Sequence, residues 1–314
     1  MLKSFFVIVV CLAMAQLGMG QATVKVAHKL NKIDSINTAT QIKELILKID
    51  KRYSDFKIRQ SLEYESRFAT INCKKISDSL QVKPWQKADF DNNGLTDILV
   101  IGTWSDHHII CILDKGDNYY EIKSITRKSF QHCTFPVVSN NKIKYYFESS
   151  PESGKRDKQP TLEQVILTYQ FGDFIEDNLI PASHTIEKIE YSTTGCYGSC
   201  PIFKLIINLD RTSNWFADLY NKINNKEVKG NFSCTIKAEK YNQIIALLNY
   251  IDFAKLKDDY AVGWTDDQSS TLKITYDNGK IKTIKDYGLI GTYGLDRVYQ
   301  LLFDLRKNQQ WTAL

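Results

Sequence analysis

Residues 96–113 read TDILVIGTWSDHHIICIL, and this stretch decides how the first half of the chain folds. It contains two runs rich in strand-forming residues, at 96–103 and 107–113. Two strands this close in sequence pair as an antiparallel hairpin. Similar runs, divided by clusters of Asp, Asn and Gly, predict further strands at 85–90, 119–126, 133–138, 142–149 and 163–171. The first half is therefore expected to be an antiparallel meander.

The second half combines strands with amphipathic helices. Further strands are predicted at 185–192, 202–209, 213–220, 228–236, 270–276 and 280–286, and the last two flank a two-residue hairpin turn at Asn278-Gly279. Apolar residues recur at helical spacing in 39–53, in 238–251 and from Leu295 to Asn308. Mainly antiparallel sheets with packed amphipathic helices define the α+β class.

The domain organisation is read from a change of texture at residues 172–184, which hold Gly172, an acidic patch and Pro181. We place a domain boundary in this segment because the length suits two domains that each bury a core. The prediction is an N-terminal α+β domain at 21–181 and a C-terminal α+β domain at 182–314.

The composition of the 314-residue chain excludes several classes of protein. Hydrophobic residues make up 43% and charged residues 25%, which are values near the average for globular proteins. Collagen-like, disordered and polytopic membrane proteins are thereby excluded. The 41 Lys and Arg against 36 Asp and Glu leave a net charge of +5. So small a charge does not build a nucleic-acid-binding stripe, and no nucleic-acid partner is expected.

Residues 1–20 read MLKSFFVIVVCLAMAQLGMG, which has the form of a secretory signal peptide. Lys3 supplies the positive start, and the apolar run that follows is too short for a spanning helix. An N-terminal membrane anchor is the alternative. We expect cleavage near Gly20 and export to the periplasm or the extracellular space. No second apolar run of spanning length follows, so no stable membrane insertion is expected after cleavage.

The sharpest local pattern is the sequence DFDNNGLTD at residues 89–97. Oxygen-bearing side chains fall at positions 1, 3, 5 and 9, and a Gly stands at position 6, where a sharp turn needs it. This spacing suits Ca²⁺, which takes six to eight oxygen ligands. The candidate ligands are the side chains of Asp89, Asp91, Asn93 and Asp97 and the backbone carbonyl of Leu95. Calcium is therefore the candidate cofactor.

The same turn departs from the EF-hand, because Val100 stands where that motif has a bidentate Glu and because the flanks read as strands. It resembles instead the calcium-binding turn of FG-GAP/VCBS-type repeats. A single copy is present, so a β-propeller is not expected. The alternative to a calcium site is a tight turn held by local Asp and Asn hydrogen bonds. Its role is structural in both cases.

Six cysteines remain once Cys11 leaves with the signal peptide: Cys73, Cys111, Cys133, Cys196, Cys200 and Cys234. Six cysteines allow 15 pairings, and sequence alone does not choose among them. Cys111 stands in an apolar run and is expected to be a buried free thiol. Cys196 and Cys200 lie in a turn between strands, where a structural disulfide is expected. A reactive redox pair and a metal site are the alternatives.

The sequence CYGSCP at residues 196–201, which opens an apolar strand, resembles the bacterial family "domain of unknown function 6438". The resemblance covers about residues 184–312. One departure is Asp210-Arg211, where the family usually has Asp-Gly. The resemblance implies a fold and an exported location but no reaction, because the family carries no established activity.

The search for catalytic motifs finds no nucleophile elbow, phosphate loop, dinucleotide fingerprint or zinc-protease motif. The acidic loop 258–267 places carboxylates on both sides of Trp264, a combination that suits a sugar site. The sequence favours a non-catalytic binding or interaction module of the periplasm or cell surface, with a protein or surface ligand as its partner. The alternative is a cell-envelope enzyme, either a hydrolase using loop 258–267 or a thiol-redox protein using Cys196 and Cys200.

Overall fold

A computed structural model describes residues 27–59, 72–104, 106–127, 132–148 and 161–314. The signal peptide predicted at residues 1–20 lies outside the described residues. Within the described ranges, no helix is both long enough and apolar enough to cross a membrane.

The first helix, α1 (Ala39–Ile49), begins as the sequence predicts. Thr38 accepts a hydrogen bond from the backbone of Gln41, whose side chain bonds back to the cap, and this capping box satisfies backbone donors at the helix start. The helix ends four residues before the predicted position 53. Asp50 breaks it by accepting from the backbone of Arg52, which starts a separate 3₁₀ turn over Lys51–Asp55.

The described residues of the first half form, besides α1, two antiparallel sheets and a short helix, α2 (Cys73–Ser79). The strands are β1 (Lys57–Ile58), β2 (Trp85–Ala88), β3 (Asp97–Trp104), β4 (Asp106–Asp114), β5 (Tyr120–Ser124), β6 (His132–Ser139), β7 (Lys142–Glu148), β8 (Leu162–Gln170) and β9 (Asp173–Glu176). One sheet has the order β1-β3-β4-β5, with β2 also paired to β3, and the other is the meander β6-β7-β8-β9. The predicted meander is thus divided between two sheets.

The residues of β3 and β4 are buried on both faces, which explains their nearly continuous apolar sequence. One face, which includes Ile98 and Ile110, packs against α1. The other face, which includes Leu99 and Ile109, packs against the second sheet. The first half is therefore layered as a helix, a sheet and a second sheet.

The second half is one eight-stranded sheet with two helices on one face. Its elements are β10 (Ile186–Thr193), β11 (Phe203–Asn208), β12 (Thr212–Ala217), β13 (Lys222–Ile223), β14 (Lys226–Glu227), β15 (Gly230–Thr235), α3 (Ala238–Tyr250), β16 (Asp259–Ala261), β17 (Ser269–Tyr276), β18 (Lys280–Tyr287), α4 (Tyr293–Asn308) and β19 (Thr312–Ala313). The order is β16-β18-β17-β10-β11-β12-β15-β19, and β13 and β14 form a separate hairpin. Only the β16–β18 pairing in the described part of this sheet is parallel. The observed class is α+β, with several antiparallel sheets and four α-helices among the described residues.

Two local details differ between the sequence prediction and the structure. Strand β9, which the sequence does not predict, lies inside the segment 172–184 in which the boundary is placed, and it pairs with β8. The hairpin between β17 and β18 has a three-residue loop, since Tyr276 pairs with Lys280. Asp277, Asn278 and Gly279 all have positive φ there.

The two halves meet where β9 packs against the start of α4. Glu176 accepts hydrogen bonds from the backbone nitrogens of Tyr293 (2.6 Å) and Gly294 (2.8 Å), so one carboxylate caps the helix across the boundary. A Cβ added at Gly294 would lie 3.3 Å from a Glu176 carboxylate oxygen across the boundary and 2.4 Å from the side chain of Ile251 within the second half. The division at residues 181 and 182 stays a prediction, and the joint between the halves is packed.

Candidate functional site

The acidic turn, residues 89–97, gathers three of its predicted ligands. Carboxylate oxygens of Asp89, Asp91 and Asp97 all lie within 4.8 Å of one another. The backbone turns back through Asn92 and Gly94, both at positive φ. The result is a cluster of hard oxygen donors of the kind that Ca²⁺ prefers.

The turn also makes the local hydrogen bonds that its alternative interpretation requires. Asp89 accepts from the backbone nitrogens of Asn93 (3.0 Å) and Gly94 (2.9 Å). The Asn93 side chain accepts from the nitrogen of Leu95 at 2.7 Å and donates to the Asp114 carbonyl at 2.7 Å. Leu95 is therefore held through its N–H. These bonds preorganise the turn.

Asp97 is the buried member of the acidic turn. Its two oxygens accept from the backbone nitrogens of Phe90 and Asp114, both at 2.8 Å. Burial raises the pKa of Asp97 to about 7 despite these bonds, and the charges of Asp91 and Asp89 add to the rise. A bound cation would offset this electrostatic cost, so the donor set fits a calcium ion.

Lys115 contacts the acidic turn, but the sequence pattern does not reveal this contact. The residue lies in the loop between β4 and β5, well separated from the turn in sequence. Its ammonium is 2.7 Å from Asp91 and also donates to the Tyr169 hydroxyl at 3.1 Å. Burial acts to lower the pKa of Lys115, but the hydrogen bonds to Asp91 and Tyr169 outweigh it and raise that pKa. One fixed positive charge therefore balances part of the cluster.

The cysteine loop, residues 195–201, joins β10 to β11. Cys196 and Cys200 form a disulfide with their Cα atoms 5.7 Å apart. The side chain between them, Tyr197, is 91% exposed, and Gly198 beside it has a φ of +147°. A covalently closed turn thus presents one aromatic ring to solvent.

The cysteine loop is held against the segment 264–268, which contains the second half of the predicted acidic loop. The Tyr197 nitrogen donates to the Asp266 carbonyl at 2.9 Å. The buried Gln268 side chain donates to the carbonyls of Thr194 (2.9 Å) and Pro201 (2.8 Å) and so holds both ends of the cysteine loop. Two features that the sequence shows far apart form one surface.

The carboxylates of loop 258–267 have separate partners. Asp258 lies 2.6 Å from the Lys282 ammonium, and Asp259 belongs to β16. Asp267 accepts from the Trp264 indole at 3.1 Å. The arrangement holds the shape of the loop, and the tip surface consists of the cysteine loop with Trp264, Asp266 and Asp267.

The other cysteines are now placed. Cys73 and Cys133 form a disulfide between α2 and β6, with Cα atoms 5.1 Å apart. Cys111 is free and fully buried, which confirms its prediction as a small apolar residue, and burial raises the pKa of its thiol. Cys234 is free and half-buried, and burial raises its thiol pKa to about 11. Neither free thiol has the lowered pKa of a reactive cysteine.

The comparisons with known proteins bear on the second half. Residues 187–306 match the family described as "Domain of unknown function (DUF6438)". The matched range contains the cysteine loop, segment 264–268 and most of the eight-stranded sheet. Neither a curated protein nor a solved structure matches the chain.

Proposed function

We propose that the protein is an exported binding module that recognises a protein or surface ligand through the tip surface. Tyr197 carries this proposal. Its ring is 91% exposed, and the disulfide, together with the hydrogen bond from its backbone nitrogen to the Asp266 carbonyl, holds its backbone in place before any partner arrives. Such an anchor binds with little loss of conformational entropy.

Export to an oxidising compartment is the setting of this proposal. Two cysteine pairs lie at disulfide distance, in agreement with such a compartment. The expected signal peptide is tested by intact-mass measurement of the protein recovered from its native envelope or medium. A mature start at Gln21 supports export, and a chain that retains residues 1–20 contradicts cleavage.

Site-specific photo-crosslinking tests the tip surface in living cells. A benzoylphenylalanine replaces Tyr197 in one variant and Tyr119, a 65% exposed tyrosine of the first half, in the matched control. We expect a discrete adduct from position 197 that is absent from position 119. Equal adduct patterns at both positions, or none at position 197, would refute recognition through this loop.

We further propose that the acidic turn binds Ca²⁺ in a structural role. The proximity of Asp89, Asp91 and Asp97, and the raised pKa of buried Asp97, support it. At a free Ca²⁺ concentration 100 times the Kd, binding adds about 2.7 kcal/mol to the free energy of unfolding.

Calorimetric titration and thermal melting test this calcium proposal. The variant Asp91→Asn loses one ligand, and Asp210→Asn, at an exposed turn of the second half, is the control. We expect Ca²⁺ to give a measurable heat of binding and a higher Tm in wild type and in the control. In Asp91→Asn we expect neither effect. No heat and no change in Tm for wild type would leave the plain turn as the explanation.

A further inference from the structure

The face of the eight-stranded sheet opposite α3 and α4 carries a cluster of lysines. Residues that alternate with the buried Ile189, Tyr191 and Leu205 point to this face. Glu190 pairs directly with Lys273 on β17, and Ser192 pairs with Lys204 on β11. Lys188 stands two residues before Glu190 on the same strand. We name the group Lys188, Glu190, Lys204 and Lys273 the lysine face.

Three ammonium groups share one carboxylate on the lysine face. The Glu190 oxygens lie 3.3 Å from Lys188, 3.3 Å from Lys204 and 3.5 Å from Lys273. Burial opposes ionisation of Glu190, but its bonds to Lys188 and Lys204 lower its pKa, so the carboxylate is charged at neutral pH. The cluster therefore keeps an excess of two positive charges. Its three lysine side chains are 38–46% exposed, so an anion in solvent can approach them.

Neutral hydrogen-bonding side chains surround the lysine face. The strand registers place on the same face Ser192, Asn208, Asn214, Thr271, Thr275 and Thr283. Phe216, directly opposite Lys204, is 37% exposed. At the edge, Asp259 of β16 stands beside Lys285 of β18 in the strand register. The registers also place Ile206 opposite Glu190 and Ile281, 60% exposed, opposite Thr275, and the polar and cationic side chains outnumber these apolar ones on the face.

We propose that the lysine face binds an acidic polysaccharide. The ammonium groups complement carboxylates of such a chain, the Thr, Ser and Asn side chains match its hydroxyls, and Phe216 offers a ring for the apolar side of a sugar. A sheet face spans several sugar units at once, which suits an extended polymer. An anionic bilayer is the less fitting partner, because membrane-surface binding depends on inserted apolar side chains. This inference is independent of the tip surface.

The direct test is calorimetric binding of the full mature chain to polygalacturonate oligosaccharides at 50 and 300 mM NaCl, with neutral dextran as the uncharged probe. The charge-neutralised variant is Lys188→Gln/Lys204→Gln/Lys273→Gln. Its matched control is Lys222→Gln/Lys226→Gln/Lys229→Gln. This variant removes the same charge from β13, from β14 and from the loop that follows β14. We expect binding of wild type that weakens with salt, a loss of about tenfold or more in the first variant and less than about twofold in the control.

Glu190→Gln should raise polygalacturonate affinity, whereas the lysine variant lowers it. A gain in affinity cannot come from loss of fold stability, so this variant separates recognition from stability. It removes the carboxylate that competes for the three lysines, so polygalacturonate affinity should rise roughly threefold. If Glu190→Gln fails to fold, Lys204→Gln/Lys273→Gln measures the same surface at exposed positions. The proposal is overturned if wild type does not bind, if dextran binds equally, if the control variant loses as much affinity, or if Glu190→Gln binds more weakly while folded. Binding to phosphatidylglycerol vesicles without binding to polygalacturonate would overturn it as well.

Discussion

The two disulfides should contribute differently to stability, because they close loops of very different length. Cys73 and Cys133 are 60 residues apart, and Cys196 and Cys200 are 4 residues apart. In the chain-entropy treatment the lost freedom of the unfolded chain grows with the logarithm of loop length. The long loop then corresponds to about 4 kcal/mol and the short loop to about 2 kcal/mol at 25 °C.

The perturbation is the paired replacement of each bridge by alanine. Cys73→Ala/Cys133→Ala should lower the free energy of unfolding by about 4 kcal/mol, and Cys196→Ala/Cys200→Ala by about 2 kcal/mol. The first pair is also buried against Phe135, so lost packing adds to its effect. The second pair lies in the cysteine loop on either side of the exposed residues 197–199, and both of its cysteines are half-buried.

Urea unfolding followed by far-ultraviolet circular dichroism measures both variants against wild type. The short bridge should matter for recognition instead, so only Cys196→Ala/Cys200→Ala should lose the adduct from position 197. A larger loss of stability from the short bridge than from the long one would refute the loop-length reasoning. An undiminished adduct in Cys196→Ala/Cys200→Ala would refute the role of the bridge in fixing the tip surface.

Three further predictions concern the fold and its pH dependence. Gly294→Ala should destabilise the protein by roughly 1–3 kcal/mol, because the added Cβ would lie 2.4 Å from the Ile251 side chain. Gly195→Ala, whose added Cβ has its nearest neighbour at 3.4 Å, is the control. An equal change in Tm for the two variants would contradict the close approach at Gly294. In Ca²⁺-free buffer the free energy of unfolding should fall as pH rises from about 4 to 7. The folded state keeps the Asp97 proton up to about pH 7, whereas the unfolded state releases it near 3.8. Urea midpoints across this range measure the fall, and saturating Ca²⁺ should remove this pH dependence. Thr38→Ala should lower the free energy of unfolding by about 1 kcal/mol in urea titration through loss of the α1 cap, and no loss would show that the cap is dispensable.

Long strands and the amphipathic helices follow from local sequence. In β10 and β17 the apolar residues alternate, and in α4 they recur at helical spacing, so each element shows its buried side. The short elements β1, β16 and β19 have no such pattern, because two or three residues carry no period. They are strands through the backbone partners that neighbouring strands supply.

The candidate site was only partly visible in the same way. The acidic turn and the cysteine loop are contiguous in sequence, so residue types and spacing were enough to mark them. The contact of Tyr197 with Asp266 joins residues 69 positions apart, and Glu190 meets Lys204 and Lys273 through strand pairing. The spacing of residues in the sequence does not predict such long-range contacts.

The amino-acid sequence alone determined the α+β class, the main strand and helix positions and the two distinctive turns, because each depends on neighbours within about ten residues. Tertiary structure alone decided that Cys73 pairs with Cys133, that β9 packs against α4, and that the tip surface and lysine face exist. These features depend on sheet register and on packing between distant segments. The stretch 96–113 shows both levels, since its two strands were readable from composition, but only the fold placed its two apolar faces in two separate cores.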